Sequence, residues 1–217
     1  MKFLKSKFES FWIKEINTVK LGADGLDHNK LRLYKNIKGS FKIEPYLELV
    51  NNRNQRCNLT RMRISAHHLH IETGHYNRPS PTPIANRICK YCTAQAVDNE
   101  SHFLLHCESF ANKRSCFFNK LNKILPNFMN LHDQSKLACI LCPATAIAAK
   151  LSNKYISILF SNRKRLDEGI PINVLTFPPQ VEDYLDSLSN LSITDNDSSF
   201  SSNDTSFNSN NCSFSSN

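Results

Sequence analysis

Residues 88–107 read ICKYCTAQAVDNESHFLLHC, placing three cysteines and two histidines within twenty positions. The pattern Cys89-x2-Cys92-x9-His102-x4-Cys107 suits one chemistry above others, a closed tetrahedral zinc site. A Cys-x2-Cys pair on a tight turn lets both thiolates reach one ion at about 2.3 Å, and a later pair completes the tetrahedron. Four protein ligands leave no open position, so the expected cofactor is structural Zn2+ and not a Lewis-acid catalyst. Lys90 and Tyr91 occupy the turn between the first two ligands. Asp98 or Asn99 caps a short helix that has Glu100 in its first turn and carries His102. The fourth ligand has two candidates. His106 lies at i+4 from His102, on the same helical face, whereas Cys107 at i+5 ligates only if the helix ends or bends there. In favour of Cys107, a thiolate binds zinc well.

A second pair, Cys139 and Cys142 in KLACILCP, has no His or Cys following it before Cys212 and lies among apolar residues. It reads as core packing, as do Cys57 and Cys116, because a free cysteine behaves as a small hydrophobe.

The elements that must position these ligands read as helices. Residues 2–20 set Leu4, Phe8, Phe11, Trp12, Ile16 and Val19 at amphipathic intervals, with lysines on the wet side. Residues 21–30 form a loop with two glycines, and a basic stretch, KLRLYKNIKGSFK, runs over 30–42. Pro45 suits the first position of a short helix. Over 53–70 the periodicity predicts one helix. Leu59, Met62, Ala66 and Leu69 form its packing stripe, and Arg53, Arg56, Thr60, Arg63 and His67 form a cationic stripe beside it. Three prolines in 77–86 make an extended connector. Ser109 then caps a helix with Phe110, Phe117, Phe118, Leu121, Ile124 and Leu125 facing inward, stopped by Pro126. Helices over about 132–141 and 144–165 follow, the second packing through Ile147, Leu151, Tyr155, Ile158 and Leu159.

The expected fold is mainly α, a small zinc-stapled Cys-x2-Cys turn or hairpin packed on several amphipathic helices, with a disordered C-terminal tail. Its segments are a basic helical part (1–76), a zinc-binding part (77–108) and a helical part packing with both (109–166). A linker (167–186) and a Ser/Asn-rich tail (187–217), too poor in apolar groups to order, complete the chain.

Charge is uneven. No Lys or Arg follows Arg165, and residues 182–217 carry six acids, so the remainder holds 27 bases against 13 acids. A body of charge +14 attracts polyanions, nucleic acid first. Residues 1–20 are punctuated by lysines and resemble no secretory signal, and the longest apolar stretch, 137–149, is too short for a bilayer. The expected location is intracellular, nucleus or cytoplasm, neither secreted nor in a membrane.

The run LTRMRISAHHLHIETGHYNRP, then NRICKYC and VDNESHFLLHC, resembles the zinc-binding segment at the C-terminal end of non-LTR (LINE-type) retrotransposon reverse transcriptases. The corresponding parts are Leu59–Arg63, Glu72–Tyr76, Cys89 with Cys92, and Asp98–Cys107. The resemblance is specific over about 30–110 and loose over 1–165. It implies Cys107 as the fourth ligand, and it implies element RNA or target DNA as the polyanion bound. His75 departs from the family's arginine at that place, removing a permanent charge. The family's polymerase motif is also missing: no two adjacent aspartates occur in the chain, so no paired carboxylates can hold two Mg2+ ions for phosphoryl transfer. No Ser/His/Asp or Cys/His arrangement stands out either, and no enzyme activity is expected.

The expected function is a non-catalytic zinc finger that binds RNA or DNA without reading sequence. Its phosphate contacts would come from Arg53, Arg56, Arg61 and Arg63, from Lys90, and from Lys30, Arg32, Lys35, Lys38 and Lys42. Tyr91 would stack on an unpaired base, or be partly buried against the zinc hairpin. The alternatives are a zinc-stabilised protein-interaction module, domesticated by a host, and a retroelement fragment without function. The cations of NRKR (162–165) complement the dipole at the end of the last helix.

Overall fold

The computed structural model describes residues 2–22, 29–38 and 40–172. These belong to one unit, Met1–Asn173, and a second unit, Val174–Asn217, lies outside the described residues. The expected tail over 187–217 and all but the start of the 167–186 linker therefore fall outside it.

The fold is mainly helical. Eight α-helices follow one another in the described residues: α1 (Lys2–Asn17), α2 (Arg32–Ile37), α3 (Pro45–Leu49), α4 (Arg53–Arg63), α5 (His70–Thr73), α6 (Ala111–Ile124), α7 (Asp133–Leu141) and α8 (Ala146–Asp167). The described residues include an isolated antiparallel bridge between Ile88 and Val97. No single helix among them is long and apolar enough to cross a membrane.

The long helix α8 is the spine, and α3, α4, α6 and α7 pack against it. Its start is set by Thr145, whose hydroxyl accepts from the Ala148 amide at 3.2 Å. Leu151, Tyr155, Ile156 and Leu159 point into the core, whereas Ile147, expected on the same face, is exposed. Tyr155 lies flat on Phe117 of α6, with centroids 4.0 Å apart and planes 6° from parallel. Such a pair adds about 0.5–1.5 kcal/mol beyond the area it buries. From α4, Leu59 and Met62 are fully buried, and Asn58 donates to Ser157 of α8 at 3.2 Å.

Three sequence expectations need correction. The helix predicted over 53–70 stops at Arg63. Ser65 takes a left-handed conformation (φ 52°), and the Leu69 amide turns back to the ring of His67, so a new turn begins at His70. Ser109 does not cap α6; it lies in the 3-10 turn Glu108–Phe110, and its hydroxyl donates to the Tyr91 carbonyl. Helix α1 forms as predicted but packs little. Ile16 is buried and Trp12 meets Tyr34 and Phe41, while Leu4, Phe8, Phe11 and Val19 face outward.

Buried ion pairs tie the segments together. Arg32 of α2 reaches Glu72 of α5 at 2.6 Å and Glu100 at 2.8 Å. The same Glu100 oxygen accepts from Ser65 at 2.8 Å and contacts His67 Nε2 at 3.0 Å. A carboxylate can only accept, so His67 carries its proton on Nε2, leaving Nδ1 to receive the Leu69 amide. Burial alone would push Glu100 up, but the His67 hydrogen bond and the Arg32 charge override it and hold the carboxyl at about 2. With the folded value below the ordinary 4.5, this group stabilises the fold fully above pH 4.5, and that stability is lost as pH falls toward 2. Its size is on the order of 3 kcal/mol. Urea unfolding of wild type and Glu100→Gln should show a gap that is full at pH 6 and closes between pH 4.5 and 2. A gap independent of pH would remove Glu100 from this role.

Candidate metal centre

The ligand set is assembled from two short irregular pieces that α8 supports. The first is the turn after the three-proline connector. Arg87, itself buried, holds the carbonyls of Thr82 (2.8 Å) and Ile71 (2.5 Å). Gly74 lies so close that a methyl there would stand 2.8 Å from the arginine's carbons. From Arg87 the chain runs into a hairpin in which the Asp98 amide donates to Arg87 (2.8 Å) and the Cys89 amide to Ala96 (2.9 Å). Gln95, at φ 51°, turns the corner. Cys89 and Cys92 sit on this hairpin.

The second piece carries His102 and Cys107. Asn99 starts it, its side chain accepting from the His102 amide at 2.8 Å. Residues His102–His106 then form a π-helical turn, closed by the Cys107 amide donating to the His102 carbonyl at 2.7 Å. In an i→i+5 register the turn is wider, so residue i+5 returns above residue i. Cys107 thereby comes round beside His102. His106 is sent outward, half exposed, and pairs with Asp133 of α7 at 2.7 Å. Of the two candidates, Cys107 is the one grouped with Cys89, Cys92 and His102.

Cys89, Cys92, His102 and Cys107 form a geometrically possible metal site, their ligand atoms all within 4.8 Å of one another. Cys89 and Cys107 sulfurs are 3.9 Å apart, and Cys92 Sγ lies 3.3 Å from His102 Nε2. A tetrahedron with bonds of 2.0–2.3 Å has edges of roughly 3.3–3.8 Å. Cys89, His102 and Cys107 are buried and Cys92 is half-buried. The Cys107 thiol bonded to the Cys89 sulfur holds Cys89 well below the ordinary thiol range, and the same contact, aided by burial, pushes Cys107 up. The pair thus releases one proton readily and keeps the other, as two like charges at this distance require. The Tyr91 amide near Cys89 and the Ser109 amide near Cys107 favour the thiolates. A divalent cation would let both sulfurs ionise.

The surrounding contacts lock both pieces. Asp98 is not a cap. It is fully buried, joins Arg163 of α8 through two bonds of 3.0 and 2.5 Å, and accepts from the His70 amide at 2.7 Å. Arg163, expected to be a dipole-complementing cation, is therefore an internal partner, lying 4.7 Å from the Tyr91 ring centre. Tyr155 donates to the Leu104 carbonyl at 2.7 Å inside the π turn, and Arg114 of α6 donates to the Cys107 carbonyl at 2.8 Å.

The cations expected to contact nucleic acid separate into two groups. Arg53 and Arg61 are exposed. Arg63 is not available. It is 1% exposed, lies against the rings of Tyr34 and Tyr46, donates to the Leu141 carbonyl at 2.6 Å and pairs with Glu44 at 2.7 Å. Arg56 folds back on the Val50 carbonyl at 2.6 Å. Arg32 and Lys38 are likewise used internally, Lys38 reaching Glu44 at 2.5 Å. Lys90 is exposed but pairs with Asp167 at the end of α8, 2.7 Å away, and the Tyr91 hydroxyl donates to the same carboxylate. Tyr91 is thus half-buried against α8 and the hairpin. Cys57, Cys116, Cys139 and Cys142 stand outside the cluster; Cys142 contacts the Ile37 carbonyl at 3.1 Å.

The fold and site define a mainly helical protein with a Cys3His cluster that could hold a metal ion. Comparison with protein-family models, with curated proteins and with solved structures finds no match to this chain.

Proposed function

We propose that this chain is a non-catalytic module, stapled by structural zinc, that binds RNA or DNA without reading sequence. In this reading it belongs with the C-terminal zinc-binding segments of non-LTR retrotransposon reverse transcriptases. The observation that carries it is the convergence of Cys89, Cys92, His102 and Cys107 through a π turn onto one tetrahedral-sized space. Three thiolates and an imidazole select zinc among the common divalent ions, and four protein ligands leave no coordination position for a substrate. Zinc there pins the hairpin of 89–96 to the π turn, and so to α8. Nucleic acid is supported by the charge of the body and by the exposed Arg53 and Arg61. Their contacts are to phosphate, since a stripe of isolated cations has nothing with which to distinguish bases.

A second reading, a zinc-stabilised protein-interaction module, draws on the outward Leu4, Phe8 and Phe11 of α1. Salt separates the two. Fluorescence anisotropy with a labelled 20-nucleotide RNA, repeated from 50 to 200 mM salt, should give a log–log slope of about −0.7 for each single-strand phosphate contacted. Binding that is absent at 50 mM salt, or indifferent to salt, would overturn the nucleic-acid reading and leave the interaction module.

A further inference from the structure

Arg63 is buried and Tyr91 is half-buried with its hydroxyl tied to Asp167, so the central arginine and the aromatic group of the expected interface are already engaged within the fold. A different pair is. Tyr76, at the end of the 3-10 turn Gly74–Tyr76, is 57% exposed, and the exposed Lys30 donates to its hydroxyl at 2.9 Å. The ammonium is 5.6 Å from the ring centre, at the hydroxyl end of the ring and not above its middle. His75 meets the ring edge-on at 5.3 Å, and the exposed Arg78 adds a permanent charge to the same turn.

Both halves of the pair are mounted on rigid supports. On one side of Lys30, Asn29 is buried and donates to the Thr18 carbonyl at 2.6 Å while accepting from the Leu31 amide. On the other side Arg32 is bound between Glu72 and Glu100. Beneath Tyr76, Gly74 rests on buried Arg87, its carbonyl accepts from the Thr82 amide at 2.9 Å, and Asn77 bonds to the Thr82 hydroxyl at 2.7 Å. The main chain on either side of both residues is thus anchored, which lowers the backbone ordering that a ligand must bring about.

We propose that Lys30 and Tyr76 form a subsite for one nucleotide of single-stranded nucleic acid, the base stacking on the Tyr76 ring and an adjoining phosphate meeting the Lys30 ammonium. An exposed aromatic face beside a fixed cation is what sequence-tolerant single-strand binders use, because every base has a π-face and every linkage a charge. The inference rests on the nucleic-acid reading above, but it adds a preference for unpaired strands that phosphate contacts alone do not confer.

The test uses the full chain loaded with zinc and, as probes, a labelled oligo(dU) 20-mer and its duplex with oligo(dA). Tyr76→Ala should weaken single-strand binding about ten-fold and leave duplex binding and zinc content unchanged, whereas Tyr76→Phe, which keeps the ring but frees Lys30, should retain most of the affinity. Lys30→Gln should reduce the single-strand salt slope by about 0.7. Wild-type affinity in Tyr76→Ala, or an equal loss on single strand and duplex, would overturn the subsite while leaving the general reading intact. So would displacement of the oligonucleotide by poly-glutamate as readily as by unlabelled oligo(dU). Failure of the wild type to bind either probe would overturn both.

Discussion

Removing the metal with a chelator, or replacing Cys89 by Ser, is expected to release the segment 88–107 while much of the helical signal survives. Structural zinc sites of this ligand type carry about 10–16 kcal/mol of apparent binding energy that is coupled to folding. Zinc bound here would act on two pieces whose own backbone hydrogen bonding is sparse, although Tyr155, Arg114 and Arg163 also hold them. The hairpin has an isolated bridge in place of a sheet, and the π turn uses a hydrogen-bond register that helices rarely adopt. The packing of α6 on α8 through Phe117 and Tyr155, by contrast, contains no metal ligand. Hydrogen exchange should therefore rise steeply across 88–107 on chelation, and thiol reagents should then reach Cys89 and Cys107, both buried in the fold. Metal analysis should return one zinc per chain for wild type, His106→Ala and Cys142→Ser, and none for Cys89→Ser or Cys107→Ser. A metal-free chain with 88–107 still protected would refute the zinc staple, and zinc lost with His106 instead of Cys107 would overturn the ligand assignment.

The second large effect is expected at Asp98. Its carboxylate is fully buried, bonded twice to Arg163, and also receives the His70 amide. Asp98→Asn would leave the Arg163 guanidinium buried without a counter-charge, and breaking one side of such a pair costs about 3–5 kcal/mol. Because Asp98 joins α5, the hairpin and α8, the loss should appear in global urea unfolding. Arg163→Met in the Asp98→Asn background should recover part of it, since the stranded charge is gone. A single variant within about 0.5 kcal/mol of wild type would mean that the pair contributes nothing net.

His67 and Arg163 show where reading along the chain stops. Each fits a local pattern, His67 on a cationic helical stripe and Arg163 in a basic helix end. In the fold His67 is bonded to Glu100 and Arg163 to Asp98, partners 33 and 65 residues away. Local periodicity cannot distinguish a solvated cation from one whose counter-charge arrives from another segment. The outward apolar residues of α1 are the converse case: their spacing promised a buried face, but among the described residues packing runs along the Trp12 and Ile16 side.

What the sequence by itself determined is the helical character of the chain, the positions of α6, α7 and α8 to within a few residues, and Cys89, Cys92 and His102 as members of one candidate metal cluster. These follow from spacing over fewer than about fifteen residues, the range within which helix geometry and a tight Cys-x2-Cys turn act. The tertiary structure brought Cys107 and not His106 beside the other three, stopped α4 at Arg63, and turned Arg63 and Arg163 inward. The reason is energetic. A π turn, a left-handed Ser65 and a buried guanidinium are each unfavourable locally, and they persist only where distant groups compensate them: Tyr155 on the Leu104 carbonyl, Glu100 on Ser65 and His67, and Glu44 and Asp98 on the arginines.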